Sequence, residues 1–137
     1  MLDRPLAFLD LETTGATASF DRITEIGLLE VEDGALVREW STLVNPRMRI
    51  PPFIESLTGI SNDMVALAPT FAEVARELQT RLAGKLLIAH NARFDYGFLK
   101  SEFARLDIRY ASDVVCTVKL SRKLFPGHAR HNLDCLM

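Results

Sequence analysis

Two cysteines in 137 residues, Cys116 and Cys135, are too few for the disulfide framework that holds small secreted domains together. They suit a reducing cytoplasm. No apolar run approaches the length of a membrane span, so the sequence points away from a membrane. The opening stretch MLDRPLAFLDLE reaches an acid at its third residue and has no basic segment, so it does not read as a secretory signal peptide. Low-complexity tracts and internal repeats are missing. No closely spaced set of Cys and His occurs, which argues against a zinc centre. Positive charge is not in excess either: the net charge is −2, which excludes a broadly basic nucleic-acid coat. What remains is 48% hydrophobic and 25% charged, the composition of a soluble globular protein, and the length suits one domain over 1–137.

The charge is uneven along the chain. Residues 1–33 carry eight acids and two bases, a net of −6, whereas residues 93–131 carry eight bases and four acids, a net of +4. An acidic pole beside a basic pole suits a metal site next to a phosphate-binding rim. Solvated helix faces would give the same count.

Hydrophobic periodicity divides the chain into short elements. Residues 5–12 read as a strand and RITEIGLLEV (22–31) as a second, ended by Asp33-Gly34, a hairpin turn signal between two apolar runs. LVREWSTLV (36–44) is the third strand, and PPFIESLTGI (51–60) holds one short helix before Gly59. Ser61 caps a further short turn through Val65. TFAEVARELQTRLAG (70–84) reads as a helix, with Thr70 and Glu73 as a capping box and Phe71, Val74, Leu78 and Leu82 as one stripe. KLLIAHN (85–91) is a buried strand, ARFDYGFLKSEFARL (92–106) a helix and DVVCT (113–117) a short strand. A basic helix over 117–124 and the start of another at HNLDCLM follow. Three strands in hairpins, then alternating helices and strands, predict an α/β domain with a mixed sheet flanked by helices. The first strand should be central, with the strand at 85–91 parallel beside it through a right-handed crossover.

Against that frame LAFLDLETTG (6–15) is unusual. Asp10 and Glu12 stand two apart, so in a strand they share a face, about 7 Å apart along it. Like charges so placed repel, and burying them is costly unless a cation neutralises them. The pair asks for a metal, or else belongs to an edge strand with one wet face. Thr13-Thr14-Gly15 follow at once, a turn in which backbone N–H groups can approach a ligand closely. HNARFD (90–95) is the second candidate stretch. Asp95 in a first helical turn complements the helix dipole, an everyday role. If the two strands are parallel neighbours, however, Asp95 emerges beside Asp10 and Glu12, and three converging carboxylates suit Mg²⁺ or Mn²⁺.

Taken together, FLDLETTG, EIG, LTGIS, PTFAEVARELQTRL, LIAHNARFDYGFL and KLFPG…NLDCL resemble the DnaQ-like, or DEDD, 3′–5′ exonucleases. Within that family the sequence is most similar to the proofreading (epsilon) subunit of bacterial DNA polymerase III, with ribonuclease T and oligoribonuclease as relatives. The resemblance implies a ribonuclease-H-like fold with a five-stranded sheet and two divalent metal ions, Mg²⁺ or Mn²⁺. Asp10 would bridge both ions, Glu12 would bind the one that activates water, and Asp95 would help place the second. The implied reaction releases 5′-mononucleotides from a single-stranded 3′ end. Thr13, Thr14 and Gly15 match the family's cradle for the terminal nucleotide, and Leu57 and Phe94 match places where apolar side chains wedge or stack against terminal bases; core packing is the alternative for both.

The family's third motif, a His followed five residues later by an Asp downstream of the NLDCL helix, does not occur before the sequence ends at Met137. His128, His131 and Asp134 occupy the stretch before that last helix and read as surface or structural residues. The resemblance therefore implies a C-terminally incomplete exonuclease domain, lacking its final helix, its general base and its fourth carboxylate, and by itself nearly inactive. Rival readings are a non-catalytic nucleic-acid- or polymerase-binding module of the same fold, a structural fragment that binds no metal, or an RNA-trimming exoribonuclease. The expected partners are a single-stranded nucleic-acid 3′ end and a DNA polymerase catalytic subunit, in the cytoplasm.

Overall fold

A computed structural model describes residues 4–116. The helices anticipated at 117–124 and from 131 onward, with His128, His131 and Asp134, lie outside the described residues. Within them the elements run β1 (Leu6–Thr13), β2 (Ile23–Glu32), β3 (Ala35–Leu43), α1 (Pro52–Thr58), α2 (Asn62–Val65), α3 (Phe71–Leu82), β4 (Leu86–Ala89), α4 (Ala92–Ala104) and β5 (Val114–Cys116). The strands form one five-stranded mixed sheet in the order β3-β2-β1-β4-β5, with β1 at its centre. β1 pairs antiparallel with β2 and parallel with β4.

Local chemistry explains the boundaries. Asp33 and Gly34 both take left-handed backbone angles (φ 53° and 77°), as a two-residue hairpin loop requires, and β2 and β3 run antiparallel from it. The capping box at α3 forms: the Thr70 amide donates to the Glu73 carboxylate at 2.9 Å. Gly84 (φ 75°) lets the chain turn from α3 into β4. α1 is too short to persist alone and has no buried residue. It is held by Asn62, whose amide and side chain donate to Glu55 and whose side chain brackets the Ile50 backbone.

The main core lies on one face of the sheet. Ala7, Leu9 and Leu11 of β1 and Ile26 and Leu28 of β2 pack there against Phe71 and Leu78 of α3 and Phe98, Leu99 and Phe103 of α4. On the other face Leu6, Leu86 and Ile88 gather with Phe8, Val31 and Val115. The strict alternation along β1 follows from the period of a strand, and it assigns Asp10 and Glu12 to the face away from the main core.

One expectation needs correction: the described bases Lys100, Arg105 and Arg109 do not gather in one rim. Lys100 lies over the Tyr96 ring at 5.1 Å, and Arg105 is bound to Glu102 and to loop carbonyls. Arg109, with Arg4 and Lys85, lines a cavity of about 580 Å³ at the start of β4, the end of the sheet away from Asp10. Lys100, Arg105 and Arg109 thus stand at separate places. No described helix is long and apolar enough to cross a membrane.

Candidate active site

The site is built by one strand end and one helix start. β1 carries Asp10, exposed, and Glu12, half-buried, while Leu9 and Leu11, which alternate with them, enter the core. β4 ends at Ala89, level with Leu9 on the parallel β1. The chain turns through the exposed His90 and through Asn91, whose carbonyl accepts from the Asp95 amide at 3.0 Å, the first bond of α4. Asp95 therefore sits in the first helical turn, just beyond the strand ends that carry the other two acids. Parallel pairing of neighbouring strands is what brings residues 10 and 95 together.

The electrostatics record that meeting. Asp95 is only 6% exposed. Burial, then the charges of Asp10 and Glu12, push its pKa up to about 7. Glu12 is raised as well, by burial first, then by Asp10 and by Glu25. Carboxylates influence each other in this way only at short range. Glu25 is a member that sequence reading missed. It lies directly across β2 from Glu12, and the hairpin register places the two on one face. Asp10 in turn faces Gly27 and borders a shallow hollow of about 210 Å³ with Phe8, Leu29 and Ser41.

The donor set consists of hard oxygens, and crowded negative charge raises the affinity for protons and for divalent cations alike. The chemistry of Asp10, Glu12 and Asp95 thus fits Mg²⁺ or Mn²⁺. Their arrangement is open, since among the described residues no three Asp, Glu, His or Cys side chains are disposed to hold one ion by themselves.

The remaining sequence candidates divide sharply. Thr13 and Thr14 are buried, and their hydroxyls serve the loop: Thr13 Oγ1 donates to the Gly15 carbonyl at 2.6 Å, and Thr14 Oγ1 to Asp21 Oδ1 at 3.0 Å. The Thr14 amide donates to the Arg22 carbonyl. Gly15 is needed for close approach, because a Cβ there would stand 2.4 Å from an Asp21 carboxylate oxygen. Leu57 is 69% exposed on α1, with Phe53 one turn earlier also exposed. Phe94 is half-buried and packs on Phe98 (ring centroids 4.7 Å apart), so core packing accounts for part of it.

An exonuclease family profile (RNase_T) matches residues 7–137, nearly the whole sequence. The chain belongs to this exonuclease family. Among similar proteins are a DNA polymerase III of the PolC type from Oceanobacillus iheyensis, 39% identical over 128 residues, and a 3′-5′ exonuclease DinG from Bacillus subtilis, 40% identical over 127 residues. The similarity covers 93% of this chain but 9% of the first relative, and 91% of this chain but 14% of the second, so this chain spans only a small part of their length. Among solved structures, exonuclease X in complex with 5′ overhanging duplex DNA superposes with a TM-score of 0.72 at 32% identity, covering 89% of this chain and 65% of that one. Fold and family agree with the DnaQ-like reading of the sequence.

Proposed function

We propose that this exonuclease domain is a metal-dependent 3′–5′ exonuclease that releases 5′-mononucleotides from single-stranded 3′ ends, with DNA as its substrate. The observation that carries the reading is the meeting of Asp10, Glu12 and Asp95 at one end of the sheet, where burial and then the charges of Asp10 and Glu12 raise the Asp95 pKa to about 7. A chain with no use for a cation gains nothing from three repelling carboxylates.

Asp10, Glu12 and Asp95 would hold two divalent ions, which supply an activated water and stabilise the attacking and leaving oxygens of an in-line displacement. The other roles belong to the chain itself. The Thr13–Gly15 turn lies beside Glu12 and offers a close approach to the terminal nucleotide. Leu57, exposed on α1, is placed to wedge against an unpaired terminal base. Single strands are preferred because such a contact needs a base free of its partner. The identities to a PolC-type polymerase and to a 3′-5′ exonuclease DinG support DNA as substrate and work alongside a polymerase catalytic unit.

Calorimetric titration with Mn²⁺, run on the wild type and on Asp10→Ala, tests the core of this reading. Binding that is lost in the variant supports it. Mn²⁺ binding unaffected by Asp10→Ala, or no Mn²⁺ binding at all, would leave a module with the fold and without the chemistry. Assays on labelled DNA and RNA strands of one sequence decide the sugar, since the 2′-OH is the discriminating group.

A further inference from the structure

We infer that Glu102 is a positioning residue: from the last turn of α4 it clasps the loop between β1 and β2, and so fixes the terminal-nucleotide cradle relative to Asp95. The inference rests on the exonuclease reading above and names a residue that reading does not use.

Glu102 is 1% exposed, one of the most deeply buried acids among the described residues. Both of its oxygens are engaged. Arg22 Nε lies 3.0 Å from each, Arg22 also reaches Oε1 at 2.8 Å, and the Ile23 amide donates to Oε2 at 3.0 Å. Arg105, the C-cap residue of α4, approaches Oε1 at 3.4 Å and donates to the carbonyls of Ala18 and Ser19 at 3.3 Å. One face of one helix thus grips the loop at its foot (Arg22, Ile23) and at its tip (Ala18, Ser19).

The loop is braced from within as well. Asp21, buried, accepts from Thr14 Oγ1 through one oxygen and from the Thr17 amide through the other, both at 3.0 Å, and its carboxylate fills the space that a side chain at residue 15 would need. The Arg22 amide donates to Thr14 Oγ1 at 3.1 Å, which joins the inner brace to the outer clasp. Thr13, Thr14 and Gly15 are therefore the rim of a rigid unit whose pose is set by Glu102.

A charge is an expensive way to join a helix to a strand. Apolar residues of similar size usually do so at lower cost, so a buried carboxylate is weak evidence for stability alone. What a carboxylate adds is geometry, because it accepts from a guanidinium and a backbone amide only in defined directions. Glu102 and Asp95 lie seven residues apart on α4, about 10 Å along its axis. The same rigid element thus carries a carboxylate of the metal site and the anchor of the loop, and the cradle cannot shift against Asp95 without breaking the Glu102 bonds.

The test uses this chain and a labelled single-stranded DNA whose terminal linkage is a phosphorothioate that resists turnover, ending in a 3′-OH or a 3′-phosphate. Anisotropy in Mn²⁺ gives the preference for the 3′-OH end. Glu102→Gln keeps the size and removes the charge, and should cut that preference by roughly ten- to a hundredfold. Salt-sensitive binding of the strand and the calorimetric affinity for Mn²⁺ should stay close to wild type. Arg105→Gln, an exposed change, should give a smaller loss of the same kind and decides the matter if Glu102→Gln does not fold. Unaltered 3′-OH preference in the folded variants overturns the inference, as does a parallel loss of Mn²⁺ affinity, which would mark general loosening. A wild type without any 3′-OH preference removes the exonuclease reading itself, and that failure is visible before a substitution is made.

Discussion

A carboxylate in the first turn of a helix normally ionises readily, because the dipole favours its charge. Asp95 does the opposite, since burial and two neighbouring acids outweigh the dipole and bring its pKa to about 7. The folded chain then holds a proton that the unfolded chain releases near the ordinary value of 3.8. Stability of the metal-free protein should fall as pH climbs from about 4 to about 7, and level off above. Asp95→Asn should remove that slope, with equal stability at pH 4 and a gain on the order of 2–4 kcal/mol at pH 8, while Mn²⁺ binding is lost; urea unfolding at both pH values measures it. A second residue-scale test concerns Gly15. Gly15→Ala forces a methyl group against the Asp21 carboxylate and should cost about 1–3 kcal/mol. Asp21→Ala in the same chain should recover part of that loss, a non-additivity that unfolding of the four variants reveals.

At the scale of elements, α1 is the part whose purpose is least structural. It buries no residue, and Leu57 and Phe53 face outward from it. Leu57→Ala should therefore leave thermal stability within about 0.5 kcal/mol and yet weaken binding of a single-stranded 3′ end several-fold, read by anisotropy; an unchanged affinity would return Leu57 to the ordinary exposed surface. Elements were the most legible level of this sequence. β1 to β5 and α1 to α4 all stand within two or three residues of their predicted bounds, because Asp33-Gly34, Thr70–Glu73 and the apolar stripes act locally. The meeting of Asp95 with Asp10 was also foreseeable, since a parallel βαβ unit dictates it. Glu25 required the register of β1 against β2, which the long connection over 14–22 does not fix locally. Glu102 did leave one trace, an acid on the apolar stripe of α4. Its partners lie 79 and 80 residues away, however, and no local pattern identifies them. The fate of the basic residues was illegible for the same reason, as a charge count does not say which cations are already paired.

For the whole molecule, the proposed cation site would make the fold a sensor of its own ion. Three carboxylates that repel one another lower the stability of the metal-free state, and an ion that binds only the folded state returns it by mass action. At an ion concentration a hundred times the dissociation constant the return is about 2.7 kcal/mol, which in a domain of this size is a shift of several degrees. Protons compete for the same oxygens, so the shift should be large at pH 8, where Asp95 is ionised, and clearly smaller at pH 6, where it holds its proton. Thermal unfolding with and without Mn²⁺ at the two pH values checks this, with Asp10→Ala as the control in which Mn²⁺ leaves the midpoint unmoved. An equal shift at both pH values would place the ion away from Asp95. An equal shift in the control would place it away from Asp10, and the site would then lie elsewhere on the molecule.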